Sequence, residues 1–209
     1  MSKSPPRFYF SFRSPYSWIA ARRLQEKVPL DQLNLEYIPS WEPGEQILAA
    51  FHARGGKMPY AQMSRDKHFY ILQDIKRLAK HFGYRMAWPI DRDPAWDLPH
   101  LGYLAARRAG KDRAFFWGAY RIRWEEGGDL CSMDTLRALA TDIDLDPQVI
   151  EAAMQDPGLQ QEGTETLYRG YRDGVFGVPF FITGHEKFWG VDRLDFFLRA
   201  LTGQPAKPL

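Results

Sequence analysis

The stretch that most constrains the fold is Arg7 to Trp18, RFYFSFRSPYSW. Its first half is rich in aromatic residues, which is typical of a buried strand, and the run stops at Ser14-Pro15. Serine followed by proline predicts the start of a helix, with Ser14 as the N-cap and Pro15 at the first helical position. The Ser14 hydroxyl would then lie at the positive end of a helix, where an anion is stabilised. Taken alone, the pattern favours a serine that only caps its helix.

The two ends of the chain predict strands, whereas the middle predicts helices. Residues 7–12 and 33–38 are expected to be parallel strands joined by a helix over 16–27. Near the C-terminus we expect two short strands, at 180–183 and 187–189, and then a helix over 191–201. Between these ends, helical periodicity or cap signals mark the segments 45–53, 63–82, 100–109, 111–125, 132–142, 147–155 and 158–173, and 89–99 is expected to be a loop.

This order of elements predicts an α/β fold. We expect a thioredoxin-like mixed sheet (β-α-β … β-β-α) with an all-helical domain inserted after the second strand. The predicted boundaries are 1–43 together with 174–209 for the sheet domain, and 44–173 for the inserted helical domain.

Composition excludes several classes of function. The net charge of +2 on 209 residues does not favour nucleic acid or an anionic membrane as a partner. The sequence has neither an export signal nor an apolar run of about 18 to 20 residues, so a cytoplasmic location without a membrane span is expected. Cys131 is the only cysteine, which excludes an intrachain disulfide and Cys-x-x-Cys chemistry, and no metal site is predicted.

Two further motifs suggest a ligand site near the third and fourth strands. Val178-Pro179 precedes a predicted core strand, a position where a cis proline would leave the Val178 backbone free to pair with a peptide-like ligand. A plain trans turn is the alternative that the local sequence favours. Asp192 lies at the start of the last predicted helix, where its carboxylate either binds an ammonium group or caps its own helix.

A polar helix face is the fourth candidate. Lys67 recurs at helical spacing with Tyr70, Asp74 and Arg77, so these side chains share one face of a predicted helix. Such a face is usually solvated. It could also present a lysine to a ligand carboxylate at the junction of the two predicted domains.

Three motifs in order carry a resemblance to a known family. They are Ser14-Pro15-Tyr16-Ser17-Trp18, Phe176-Gly177-Val178-Pro179 and Gly190-x-Asp192-Arg193-Leu194. With their β-α-β and β-β-α frame, they resemble the 2-hydroxychromene-2-carboxylate isomerases and kappa-class glutathione transferases, relatives of bacterial disulfide oxidoreductases with an inserted helical domain. The resemblance covers about residues 7 to 202 and implies glutathione as the cofactor.

The resemblance also implies roles for individual residues. Ser14 matches the serine whose hydroxyl contacts the glutathione sulfur, and the Val178 backbone, ahead of a cis Pro179, matches the group that holds the cysteinyl unit. Asp192 matches the carboxylate that receives the γ-glutamyl ammonium. Less closely, Lys57 and Lys67 resemble the basic residues near the glycine end.

The chain departs from the family pattern at three positions. Ser11 stands where isomerases commonly carry aspartate, and Arg13 stands where an apolar residue is frequent. Val191 replaces a polar residue that would donate to the γ-glutamyl carboxylate, although its backbone amide could still bind there. These differences leave the substrate more open than the fold.

The resulting prediction is a glutathione-dependent isomerase acting on a small aromatic or conjugated substrate, in a chain expected to form a homodimer. A conjugating glutathione transferase and a non-redox thioredoxin-like binding module are the alternatives. A dithiol oxidoreductase is excluded because Ser14 and Ser17 occupy the positions where that chemistry needs cysteines. Several aromatic residues either line an acceptor pocket or pack in the helical core: Tyr16, Trp18, Phe115, Trp117 and Trp124.

Overall fold

The fold is described from a computed structural model, for residues 4–28, 33–59 and 64–202. Its strands are β1 (Arg7–Phe10), β2 (Glu36–Pro39), β3 (Phe180–Thr183) and β4 (Glu186–Trp189). Its α-helices are α1 (Pro15–Lys27), α2 (Glu45–Ala53), α3 (Arg65–Phe82), α4 (Asp97–Arg108), α5 (Asp112–Tyr120), α6 (Met133–Asp142), α7 (Pro147–Ala153), α8 (Pro157–Asp173) and α9 (Leu194–Thr202). A π-helical segment, Arg121–Glu125, continues α5, and a short 3₁₀ turn, Val191–Arg193, precedes α9.

The four strands form one mixed sheet in the order β2-β1-β3-β4. β1 pairs parallel with β2 and antiparallel with β3, which pairs antiparallel with β4. Phe8 in β1 shows the register, since it lies opposite Tyr37 in β2 and Phe181 in β3. The predicted α/β fold with a β-α-β start and a β-β-α end is confirmed.

Some predicted boundaries were wrong. β2 begins at Glu36 rather than Leu33, and α4 begins at Asp97, so Pro99 lies in the first turn of a helix instead of a loop. Proline is tolerated there because the first-turn N–H groups have no partner within the helix. The predicted helix over 111–125 changes to π geometry at Arg121. The predicted helix start at Met63 lies outside the described residues.

Side-chain caps explain where several helices begin. The Ser14 hydroxyl accepts a hydrogen bond from the Ser17 backbone N–H, and Ser64 does the same for Lys67. Asp156 caps α8 by accepting from two backbone N–H groups. Each such cap stabilises its helix by about 1 kcal/mol, so these local sequence signals place the helix starts reliably.

The two faces of the sheet are covered by different elements. Alternate residues of β1 point to opposite sides, so Phe8 stacks on Phe181 in a large core shared with most helices, whereas Tyr9 belongs to a smaller cluster on the other face. Helix α8 covers that second face, where the Tyr9 hydroxyl donates to Asp173. The large core runs without a break from β1 to α6, and the division into a sheet domain and an inserted helical domain stays a prediction.

In the part of the chain that the structure describes, none of the helices combines the length and the apolar character needed to cross a membrane.

Candidate functional site

A cleft of about 420 Å³ lies beside the start of α1. Its lining includes two chemically distinct parts. We call Ser11, Ser14 and Val178, together with the buried His100 behind Ser11 and Phe12, the serine wall. We call Trp88, Asp91, Arg123 and Trp124 the arginine wall. Other side chains of the lining include Tyr16, Trp41, Lys67, Phe176 and Trp189.

Ser14 both caps α1 and faces the cleft. Its hydroxyl oxygen accepts the Ser17 N–H at 3.2 Å, and its own N–H donates to the Ser11 carbonyl at 3.1 Å. No acceptor for the Ser14 hydroxyl proton is found among the described residues, so this O–H remains available to a ligand. Ser17, by contrast, is fully buried and its hydroxyl accepts from the Ser11 N–H.

His100 fixes the backbone that carries Ser14, and sequence reasoning did not find it. Its Nδ1 lies 2.6 Å from the Trp96 carbonyl oxygen, which can only accept, so Nδ1 carries the proton and Nε2 is an acceptor. Nε2 accepts the Phe12 N–H at 3.3 Å and lies 3.5 Å from the Ser11 hydroxyl. Burial lowers the pKa of His100 to about 3, so the ring is neutral at physiological pH and keeps these bonds. An aromatic strand followed by a distant lone histidine gives no sequence signal for this support.

The loop before β3 brings Val178 into the cleft. The Val178-Pro179 peptide bond is cis, as the family resemblance implied and contrary to the trans turn that the local sequence favoured. Val178 lines the cleft, whereas Pro179 does not. The Pro179 carbonyl instead accepts the Gly190 N–H at 3.0 Å, which joins this loop to the turn after β4.

Val191 and Asp192 lie outside the lining of the cleft. They follow Gly190, whose φ of +98° is a conformation that favours glycine. The Asp192 carboxylate is largely exposed and pairs with Arg193 at 2.5 Å. Val191 is buried, and its carbonyl accepts from Arg23 at 3.4 Å.

The two lysines proposed for the ligand's glycine end differ in position. Lys67, in the first turn of α3, lines the cleft, whereas Lys57 is exposed and is not part of the lining. The predicted polar face of α3 also has a structural role, because Asp74 accepts a hydrogen bond from the Tyr16 hydroxyl at 2.9 Å and pairs with Arg77 at 2.8 Å.

The arginine wall combines a buried cation with indole rings. The Arg123 guanidinium carbon lies 4.6 Å from the centre of the Trp96 ring and 5.0 Å from that of Trp124. Its Nη2 pairs with Asp91 at 2.8 Å. Trp124 also donates its indole N–H to the Phe12 carbonyl at 3.0 Å, which ties this wall to the end of β1.

Only part of the predicted aromatic pocket is found. Tyr16 and Trp124 line the cleft, but Trp18 and Phe115 are fully buried in the core, and Trp117 packs against the core outside the lining. Their helical spacing indicated packing rather than ligand contact, as an apolar stripe usually does. Apart from Trp124, the arginine wall was missed, because Trp88 and Asp91 lie 32 or more positions before Arg123 in the sequence.

The chemistry open to the site follows from its donors. The Ser14 O–H and the start of α1 both favour a negatively charged atom in the cleft. Cys131 lies outside the lining, and burial raises its pKa to about 12, so it carries no thiolate at neutral pH. A reactive sulfur at Ser14 would therefore have to come from a ligand.

Comparisons with known proteins show the family to which the chain belongs. Residues 7–202 match the family model of the DSBA-like thioredoxin domain. The chain is 30% identical over 189 residues to the 2-hydroxychromene-2-carboxylate isomerase of Sphingobium xenophagum, covering 90% of this chain and 93% of the relative.

Solved structures show the same fold. A selenomethionine 2-hydroxychromene-2-carboxylate isomerase superposes with a TM-score of 0.75 at 24% identity, covering 95% of this chain and 94% of the other. The cytosolic disulfide reductase DsbM from Pseudomonas aeruginosa, solved with GSH, gives a TM-score of 0.61 at 15% identity, covering 95% of this chain and 98% of the other.

Proposed function

The chain belongs to the DsbA-like thioredoxin family, and we propose that it is a glutathione-dependent isomerase of the 2-hydroxychromene-2-carboxylate type. The similarity to the Sphingobium xenophagum isomerase extends over nearly the whole length of both chains and supports an isomerase activity. The observation that carries the proposal is the Ser14 hydroxyl. Its oxygen caps α1, Ser14 lines the cleft, and the hydroxyl proton has no acceptor among the described residues.

The position of Ser14 suits a thiolate. A free thiol has a pKa of about 8.5, so only a few per cent is ionised at neutral pH. A hydroxyl that donates to the sulfur and a helix N-terminus beside it both stabilise the charged form, and each unit by which the pKa falls corresponds to about 1.4 kcal/mol. Because the cap uses only the oxygen of Ser14, the two functions do not compete.

When bound, glutathione would supply a thiolate nucleophile for reversible addition to a conjugated carbon of the substrate. The protein's part is to hold the reacting atoms. Ser14 would donate to the sulfur, the Val178 backbone would orient the cysteinyl unit, and Lys67 would face the glycine carboxylate. All three residues line the same cleft.

Three further contacts belong to the proposal and depend on a ligand that reaches beyond the cleft. Asp192 would receive the γ-glutamyl ammonium, and the Val191 amide would meet the adjacent carboxylate. Lys57 would add positive charge near the glycine end. The exposure of Asp192 and Lys57 leaves both side chains accessible to such a ligand. That DsbM, a protein of the same fold, was solved with GSH supports glutathione as the cofactor.

The first test is glutathione binding and turnover in Ser14 variants. Ser14→Ala removes both the cap and the donor, whereas Ser14→Gly removes the donor but loses only a few tenths of a kcal/mol of capping. We expect both variants to lose most of the turnover of 2-hydroxychromene-2-carboxylate with glutathione, while only Ser14→Ala is clearly less stable to urea. Undiminished turnover in both would show that Ser14 is only a cap. The absence of glutathione binding at millimolar concentration would refute the proposed function.

The second test distinguishes isomerisation from conjugation. Isomerisation leaves the total glutathione unchanged, whereas conjugation consumes it in step with product. We expect substrate turnover with constant free thiol. Loss of thiol equal to the product formed would instead assign a transferase activity.

We also propose that the enzyme is cytoplasmic, as predicted from the sequence, and that it is a homodimer acting on a small aromatic or conjugated substrate, as the family resemblance implies. Light scattering of the purified chain would test the dimer directly, and a mass of one chain would refute it.

A further inference from the structure

We propose that Arg123 binds a carboxylate of the aromatic substrate. Trp88 and Trp124 would form the apolar surface of this subsite, on which the aromatic ring of the substrate packs. The proposal assigns a substrate-binding residue that is 109 positions from Ser14 in the sequence and lies in another part of the same lining. It rests on the proposed function for the reaction, but not for the binding itself.

The hydrogen bonding of Arg123 is incomplete. The residue is only 2% exposed, and its Nη2 pairs with Asp91. Its Nε and Nη1 have no hydrogen-bond partner among the described residues. A buried donor without a partner costs about 1–3 kcal/mol, so native proteins rarely keep two in one side chain without a reason. A ligand that supplies acceptors would remove this cost.

The surroundings of Arg123 favour an aromatic anion over other ligands. Trp124 stacks on the guanidinium, and the half-exposed Trp88 packs on Trp124 with ring centres 5.7 Å apart. Both indoles line the cleft together with Arg123. A flat ring can pack on these indoles, while a carboxylate meets the cation beside them.

The backbone geometry is also unusual here. Arg123 and Trp124 lie within the π-helical segment Arg121–Glu125. π-helical turns are rare, and this one forms the C-terminal turn of α5. This segment turns two consecutive side chains, one cationic and one aromatic, into the lining of the cleft.

Asp91 already occupies part of the subsite. Its carboxylate lies 2.8 and 3.0 Å from Nη2 of Arg123, is 29% exposed and lines the cleft. An anionic ligand can therefore compete with Asp91 for the guanidinium. Removing the Asp91 charge should strengthen the binding of an anion, which is the opposite of what loss of a structural ion pair would predict.

The test measures binding by calorimetry without glutathione, so that it does not depend on turnover. The probes are 2-naphthoate and its uncharged amide, 2-naphthamide. Since a charged hydrogen bond contributes about 1.5–3 kcal/mol, we expect Arg123→Met to weaken naphthoate binding about tenfold or more while naphthamide binding stays within about twofold. Asp91→Asn should strengthen naphthoate binding several-fold and leave naphthamide binding unchanged.

Arg22→Met is the matched control. Arg22 is also ion-paired, to Glu125 of the same π-helical segment, and stacked on an aromatic ring, but it lies outside the cleft. It should leave the binding of both probes unchanged. Arg123→Lys, which keeps the charge, provides a second variant if Arg123→Met does not fold, and should still weaken naphthoate selectively.

Three results would overturn the subsite. They are equal loss of both probes in the Arg123 variants, no loss of naphthoate binding in either variant, or weaker naphthoate binding in Asp91→Asn. Selective naphthoate binding in a chain that does not turn over 2-hydroxychromene-2-carboxylate would refute the proposed function and keep the subsite. Normal turnover with an unchanged KM in Arg123→Lys would refute the subsite and keep the function.

Discussion

The serine wall and the arginine wall line one cleft, but they differ in how complete they are. In the serine wall, neutral His100 accepts the Phe12 N–H, and the Ser11 and Ser17 hydroxyls are bonded within the protein. Among the described hydroxyls of Ser11, Ser14 and Ser17, that of Ser14 is the one left for a ligand. In the arginine wall, two nitrogens of Arg123 have no hydrogen-bond partner among the described residues. The indole N–H of Trp96, which packs on Arg123, has none among them either.

This difference indicates two kinds of binding surface. The serine wall is organised before any ligand arrives, which suits a group that must hold one atom in a fixed position. The arginine wall leaves donors to be satisfied, which suits recognition of a particular charged group, because a ligand without that group leaves them unpaired. Catalysis and substrate choice would thus be assigned to different walls.

The largest expected effect comes from the residue that joins the walls. Trp124 is 2% exposed, stacks on Arg123 and donates to the Phe12 carbonyl. Trp124→Ala should lower the free energy of unfolding by about 3–5 kcal/mol in urea denaturation. Trp88→Ala, on the same wall but 44% exposed, is the control and should cost about 1 kcal/mol or less. Equal effects would mean that Trp124 does not connect the two walls.

The next largest effect is expected in the pH dependence of stability, through His100 of the serine wall. The folded-state pKa of His100, about 3, is below the ordinary 6.5, so protonation favours the unfolded chain, and stability falls as the pH drops below about 6.5. Between pH 6 and 4 the wild type should lose about 2–3 kcal/mol more than His100→Gln, which has no titrating ring. Urea midpoints at both pH values measure this. Parallel losses in the two proteins would contradict a neutral, buried His100.

The smallest effect concerns the lysines. Lys67 lines the cleft and Lys57 does not, although both are exposed. If glutathione bound at Ser14 reaches α3, Lys67→Met should weaken its binding about threefold, because exposed ion pairs contribute about 1 kcal/mol or less. The effect should be smaller at high salt, which screens exposed charges. Lys57→Met should have a smaller effect. Calorimetry at two ionic strengths would show this order, and the reverse order would place the glycine end nearer Lys57.

The two walls also differ in how well the sequence predicts them. Ser14-Pro15 and Val178-Pro179 are local signals whose geometry depends on adjacent residues, so the cap of α1 and the loop before β3 were located from the sequence. The supporting role of His100 and the pairing of Asp91 with Arg123 depend on contacts between residues 32 to 89 positions apart. No periodicity or spacing encodes such contacts, because they arise only when α4 and the π-helical segment pack on β1.

The fold followed the same rule. Strand and helix order came from periodicity, but the π turn at Arg121 and the start of α4 at Asp97 did not, since tertiary packing decides them. The positions of Asp192 and Lys57 outside the cleft likewise could not be read from motif order.

The protonated state of Cys131 should make the chain resistant to alkylation and oxidation. Electrophiles and oxidants attack thiolates, and the only cysteine of the chain has its pKa raised to about 12 by burial. In an enzyme whose nucleophilic sulfur belongs to a diffusible ligand, a ligand with an alkylated or oxidised sulfur can dissociate. Damage would then be removed by ligand exchange instead of resynthesis of the chain.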